Sequence, residues 1–279
     1  MWVIEQGRFI GKVEAWDRGV QFGDGLFETI CVIDKRATNL DLHVKRLNSG
    51  LASLLITSPV DNIKSLIEEY IIKFIAESEQ KNGIFKIIIT RGSSARGYGF
   101  DANIIANITA FYTPKPQYEI DIYSQGVELV VCKTQCSIQP QLAGLKHLNR
   151  LENVLAKQEL NGVFEGLMLN HSGFVIEGTM SNVFFEKDNI LHTPKLNISG
   201  IKGVIRACVL YEAEKRSIEV KIQDITLPEL KNFSSGFICN SVMGIVPIRK
   251  INQYAFNASE MTKQLQSVIN HRGENEQTS

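Results

Sequence analysis

The sequence predicts an α+β chain of two domains, a smaller α/β domain first and a larger β-rich domain after it. Two contrasts in the pattern predict this, and a break separates them. Up to residue 113, amphipathic helical stretches alternate with strands. From residue 122 onward, short apolar runs divided by turn residues dominate. Between them, "TPKPQYEI" brings Pro114 and Pro116 together just after a strand, so residues 114–121 read as the linker. The domains are thus 1–113 and 122–279. A length of 279 residues suits about two domains on a scale of ~150 residues each.

Taken in order, "MWVIEQGRFI" reads as a strand that turns at Gly7, and "FETICVIDKRATNL" as a hairpin around Asp34 and Lys35. A helix follows from about Asp41, with Leu47, Leu51, Leu54 and Leu55 on one face. "DNIKSLIEEYIIKFIAESEQ" is a second amphipathic helix, striped by Leu66, Ile67, Tyr70, Ile71, Phe74 and Ile75. "GIFKIIITRG" and "ANIIANITAFYTP" are strands on either side of the glycine-rich turn "RGSSARGYGF". Beyond the linker, "GVELVVCK", "GLMLN", "NVFFEK", "NILHTP", "SIEVKIQ", "GFICNSV" and "GIVPIRK" are strands. Helices interrupt them at about 149–160, 203–215 and 258–268. The first of these has Asn149 as its cap and Leu151, Val154 and Leu155 at helical spacing. "HRGENEQTS" reads as a frayed tail.

Hydrophobic content of 44% and charged content of 22% are those of a globular protein. Lys+Arg and Asp+Glu each total 30, so no basic surplus argues for nucleic acid, although a local pocket can still take an anion. The N-terminus lacks a basic head followed by a long apolar run, and no apolar stretch reaches the ~20 residues of a membrane span. The odd, scattered set Cys31, Cys132, Cys136, Cys208 and Cys239 fits a reduced cytoplasm rather than a disulfide framework. Cys132 and Cys136 lie close in sequence without a His or Cys cluster, so no metal is expected.

Several residues stand where chemistry would need them. Lys146, in "GLKHLNRLENVLAKQEL", precedes a helix; it is either a solvated surface residue or an amine held for covalent work. Glu177, in "GFVIEGTMSNVFF", sits at a strand end, either as a solvated turn carboxylate or aimed at a bound cation. Arg46, in "LHVKRL", is either a snorkelling arginine or an anion ligand. "ISGIKGVIRACV" sets Gly200 and Gly203 ahead of a helix, whose first N–H groups attract phosphate. Asn240 and Ser241 end a strand as small polar donors. An amine, a carboxylate, an arginine and open amides together are the groups that pyridoxal phosphate needs.

The blocks "DRGVQFGDGLFETI", "LHVKRL", "KHLNRLENVLAKQEL", "EGTMSNVFF" and "GVIR" resemble, in order, the fold type IV pyridoxal-phosphate enzymes. That group includes branched-chain and D-amino acid aminotransferases and aminodeoxychorismate lyases. The resemblance covers about residues 16 to 250. It implies a pseudo-barrel-like larger domain, the cofactor between the domains, and a homodimer whose site is completed across the interface. By the same resemblance, Lys146 is the Schiff-base lysine and Glu177 pairs with the pyridine nitrogen. Arg46, the amides of Val204 and Ile205, and Ser241 hold the phosphate.

Within the group, "RGYGF" and "LAGLKHLNRLENVLA" resemble the lyases. Arg96 would bind the substrate carboxylate, whereas Tyr98 and Phe27 stand where D-amino acid aminotransferases carry histidine and tyrosine. The implied reaction converts 4-amino-4-deoxychorismate to 4-aminobenzoate and pyruvate, a step towards folate. Thr29 is the candidate for proton delivery to the leaving group. The alternative is a D- or branched-chain amino acid aminotransferase. Arg91 reads as leaving its strand into solvent and His43 as a packed or capping histidine rather than a catalytic one, while the role of Arg150 stays open. The resemblance implies a cytoplasmic enzyme with a small-molecule substrate and neither nucleic-acid nor membrane partner.

Overall fold

The computed structural model describes residues 13–101 and 103–270. The strand read in "MWVIEQGRFI" and the tail "HRGENEQTS" lie outside them. The chain divides into two units, Met1–Pro116 with Leu145–Asn149, and Gln117–Gly144 with Arg150–Ser279. The first boundary falls inside the linker read from the prolines.

The first unit begins with helix α1 (Arg18–Phe22), capped by Asp17, whose Oδ1 accepts from the Gly19 N–H at 2.7 Å. Strands β1 (Gly25–Ile33) and β2 (Arg36–Ala37) form the expected hairpin. Its turn residues Asp34 and Lys35 have φ of 46° and 69°, the left-handed pair that such a tight turn requires. Helices α2 (Leu40–Ser53) and α3 (Ile63–Ser78) precede strands β3 (Gly83–Thr90) and β4 (Asn107–Pro114). The four strands form an antiparallel sheet in the order β2-β1-β3-β4. Leu47 and Leu51 of α2 and Ile67, Ile71 and Phe74 of α3 are buried against Leu26, Ile30, Phe85 and Ile87. Leu55 does not join them: α2 ends at Ser53, Leu55 turns to φ 55°, and its side chain is 74% exposed.

Period-two alternation divides β1 between two faces. Leu26, Glu28 and Ile30 are buried, whereas Phe27 and Thr29 face the other way and are half-buried. The short segment 145–149 lies along this strand. The Phe27 N–H donates to the Lys146 carbonyl and the Leu148 N–H to the Gly25 carbonyl, both at 3.0 Å. Lys146, expected in the larger domain, is therefore counted with the smaller unit.

The second unit contains α4 (Asp121–Gln125), β5 (Val127–Val131), α5 (Leu151–Gln158), β6 (Glu165–Leu169), β7 (Val175–Gly178), β8 (Asn182–Lys187) and β9 (Ile190–Pro194). It continues with α6 (Val204–Lys215), β10 (Val220–Gln223), a 3₁₀ turn at Leu227–Asn232, β11 (Ser235–Asn240), β12 (Gly244–Ile251), β13 (Tyr254–Ala255) and α7 (Glu260–Asn270). The nine strands make one mixed sheet, ordered β10-β9-β8-β11-β12-β5-β6-β7, with β13 on β12. Apolar side chains from many short strands fill its core; the Phe185 ring stacks on Phe233 and Phe256 at centroid distances of 5.1 and 5.9 Å. Arg150, not Asn149, stands at the N-cap of α5, and the Asn149 amide donates instead to the Gly23 carbonyl at 3.4 Å. The stripe Leu151, Val154 and Leu155 is 76%, 53% and 59% exposed, so this helix turns its apolar face outward. No helix of the described residues is long and apolar enough to cross a membrane.

Candidate active site

The backbone of Lys146 is held along β1. With its carbonyl held by Phe27, its side chain projects onto the half-buried face of β1, and Nζ lies 4.3 Å from the Phe27 ring centroid. Thr29 is on the same strand face, two residues on, and its cross-strand partner is Lys86 of β3. Lys86 Nζ is 5.1 Å from the same Phe27 ring, a second ammonium that the sequence reading missed. A single lysine in "GIFKIIITRG" carries no signal until the strand register places it opposite Thr29.

Arg46 is bonded on the buried side of the same strand. Its Nε and Nη2 donate to Glu28 Oε1 at 2.7 Å and Oε2 at 2.5 Å. His43, one helical turn earlier and fully buried, has Nδ1 2.6 Å from Glu28 Oε2. Burial alone would raise the Glu28 pKa, but the Arg46 charge and the His43 hydrogen bond override it and hold the group at about 2. Burial pushes the His43 pKa down, against the pull of Glu28, so the ring stays neutral. An ionised carboxylate only accepts, so Nδ1 carries the ring proton. His43 is thus a packed histidine, as read, while Glu28 was missed. Nothing in "FETI" signals it until Arg46 and His43 are placed beside β1.

In the second unit, Glu177 is the last residue but one of β7 and is 4% exposed. It is not a solvated turn carboxylate: Oε2 accepts from the Ile201 N–H at 2.8 Å and from Asn182 Nδ2 at 3.4 Å. Asn182 also donates to the Ile201 carbonyl at 2.9 Å and accepts from the Gly203 N–H at 3.0 Å. One amide side chain therefore ties Glu177 to the start of α6. Gly203 caps α6 without a side-chain hydrogen bond, so the first-turn N–H groups, those of Val204 and Ile205 included, have no side-chain cap. A Cβ at Gly203 would collide with Asn182 Oδ1, and Gly200, at φ 79°, carries the chain past Glu177.

Glu165, at the start of β6, supports this corner from below. Fully buried, it accepts at Oε1 from the Gly166 N–H (2.9 Å), the Thr179 N–H (3.1 Å) and the Thr179 hydroxyl. At Oε2 it accepts from the Met180 N–H (3.2 Å) and Ser181 Oγ (2.9 Å). The carboxylate holds the turn between Glu177 and Asn182. Ser241 sits in the turn after β11. Asn240, read as a donor to an anion, is used by that turn: Oδ1 accepts from the Val242 and Met243 N–H groups and Nδ2 donates to the Met180 carbonyl.

Arg96 and Tyr98 lie on the exposed loop between β3 and β4. The Tyr98 ring packs on Phe22, at 5.2 Å between centroids. Arg91 does not leave its strand into solvent. It is 6% exposed and paired with Asp24, a residue close to it across the sheet but distant in sequence.

The amino-transferase class IV family matches residues 25–251. The chain belongs to that family. An aminodeoxychorismate lyase from Vibrio harveyi is 34% identical over 260 residues, spanning 91% of this chain and 94% of that relative. A D-alanine aminotransferase from Bacillus licheniformis is 27% identical, over 96% of both chains. Among solved structures, the 4-amino-4-deoxychorismate lyase from Pseudomonas aeruginosa superposes with a TM-score of 0.87 at 36% identity, covering 96% of this chain and 97% of that one. The class IV fold, a small sheet domain with a larger, strand-rich one, is therefore that of this chain, as the sequence implied.

Proposed function

We propose that the protein is a pyridoxal-phosphate-dependent lyase that converts 4-amino-4-deoxychorismate to 4-aminobenzoate and pyruvate. One observation carries the choice within the family: two ammoniums, Lys146 and Lys86, flank the hydroxyl-free ring of Phe27 beside Thr29. That face offers one amine for chemistry and a second cation for a substrate with two carboxylates. The residues fit the cofactor. The first turn of α6 has no side-chain cap, and Glu177, a buried acceptor, is tied to that turn through Asn182.

When bound, pyridoxal phosphate supplies an aldehyde that captures an amine and a ring that accepts an electron pair. Lys146 Nζ would anchor the cofactor, and the same amine would take the proton from the substrate carbon that bears nitrogen. Glu177 would be the carboxylate that pairs with the ring nitrogen and favours a protonated ring. Arg46, the Val204 and Ile205 amides and Ser241 hold the phosphate. Thr29 Oγ1 delivers a proton to the departing enolpyruvyl group, which leaves as pyruvate. Arg96 and Tyr98, reaching from a partner subunit, bind substrate carboxylate in a homodimer. The outward leucines of α5 support a second copy as the neighbour of this chain. Five buried thiols and no membrane-spanning helix among the described residues support a cytoplasmic setting.

The deciding experiment mixes the purified, cofactor-loaded protein with 4-amino-4-deoxychorismate and no keto acid. Formation of 4-aminobenzoate, lost in Lys146→Ala, supports the lyase. Turnover that strictly requires an amino acceptor would replace it with the second reading, a D-amino acid aminotransferase, which the Bacillus licheniformis relative favours.

A further inference from the structure

Arg18 lies outside the chemistry proposed above, yet few side chains in the smaller unit are so fully engaged. It is 3% exposed. Its Nε donates to Asp24 Oδ2 at 2.9 Å. The rest of the guanidinium is spent on the loop that carries Arg96. Nη1 donates to Ser94 Oγ at 3.0 Å and to the Gly97 and Gly99 carbonyls at 3.1 Å, and Nη2 to the Tyr98 carbonyl at 2.8 Å.

Three successive carbonyls thus converge on one buried cation, while the side chains of Arg96 and Tyr98 stay exposed. Gly97 makes this possible. Its φ is 106°, and nothing lies within 4 Å of where a Cβ would be, so the glycine serves backbone direction and not space.

Asp24 anchors the arrangement to the sheet. It also accepts from Arg91 Nε at 2.8 Å and Nη2 at 3.0 Å. Arg91 in turn donates to the Leu55 and Leu54 carbonyls at 2.7 and 2.6 Å, and its guanidinium carbon lies 3.7 Å from the Phe100 ring centroid. Two guanidiniums on one carboxylate, one reaching the end of α2 and the other the loop, make a continuous charge-assisted chain.

We propose that Arg18 is a positioning residue that clamps loop 94–99 through its carbonyls and thereby sets where Arg96 presents its fork to a substrate carboxylate. The proposal rests on the reading of Arg96 given above. A flexible loop would have to be ordered by each substrate molecule, at the expense of affinity; a clamped one is ordered beforehand.

Arg18→Lys keeps a charge beside Asp24 but loses the fork that reaches four loop acceptors. Amide hydrogen exchange in residues 94–100 should then quicken about tenfold, with the strands unchanged, and KM for 4-amino-4-deoxychorismate should rise about tenfold with kcat held within about twofold. Gly97→Ala, on the exposed loop and unable to disturb the core, should raise KM in the same way by turning its carbonyl off Arg18. Unchanged loop exchange in Arg18→Lys overturns the clamp whatever reaction the protein performs. Faster exchange with unaltered KM, or a fall in kcat alone, overturns the link to Arg96. Absence of lyase activity in the wild-type protein instead sinks the functional reading, and the exchange measurement still judges the clamp.

Discussion

Glu28 shows what a single buried charge asks of its neighbours. It is 1% exposed, and its ionised state depends on Arg46 and His43. Removing a partner from such a group leaves an uncompensated charge, so Arg46→Met should destabilise the protein by about 3–5 kcal/mol in urea unfolding, before any cofactor is added. The same group sets an acid limb. Its folded pKa of about 2 lies below the ordinary 4.5, so its stabilisation is present above 4.5 and is lost as pH falls towards 2. Unfolding measured across that window should show stability declining with acid in the wild type and a shallower decline in Arg46→Met. Arg46 was singled out from the sequence, but as a snorkelling arginine or an anion ligand and not as the partner of a buried carboxylate. Its bonds to Glu28 depend on β1 lying beside α2, which periodicity does not encode.

At the scale of elements, the corner joining β7, β8 and the start of α6 concentrates the design. Asn182 links three backbone and side-chain groups there, and Gly203 is the residue that lets it fit. Gly203→Ala should cost about 1–3 kcal/mol by overpacking and weaken cofactor binding in a fluorescence titration, whereas Gly99→Ala, whose Cβ meets open space, should change stability little. Elements with long periodic stripes, such as α2, α3 and the β3 run, were legible in the sequence. So was the glycine pair ahead of α6. The short elements α1, α4 and β13 were not, because five residues or fewer carry too little pattern. Glu165 was equally hidden: its role is written in the Thr179–Ser181 backbone that it holds.

On the scale of the whole molecule, the α+β plan with a smaller and a larger, strand-rich part was legible in the pattern, but the return of residues 145–149 to the first unit was not. It rests on strand-edge hydrogen bonds between segments more than a hundred residues apart. The proposed homodimer belongs at this scale. Sedimentation should find two chains per particle, and charging the outward stripe of α5 with Leu151→Glu and Leu155→Glu should release single chains that have lost turnover. An active single chain would remove the partner's Arg96 from the scheme. The returning strip also bears on biogenesis. A nascent polypeptide that has emerged only to residue 116 holds nearly all of its first folding unit yet still lacks the piece bearing Lys146. Until translation has passed residue 149, the edge of β1 stays bare at Phe27 and Gly25, ready to pair with a neighbouring chain on the same messenger.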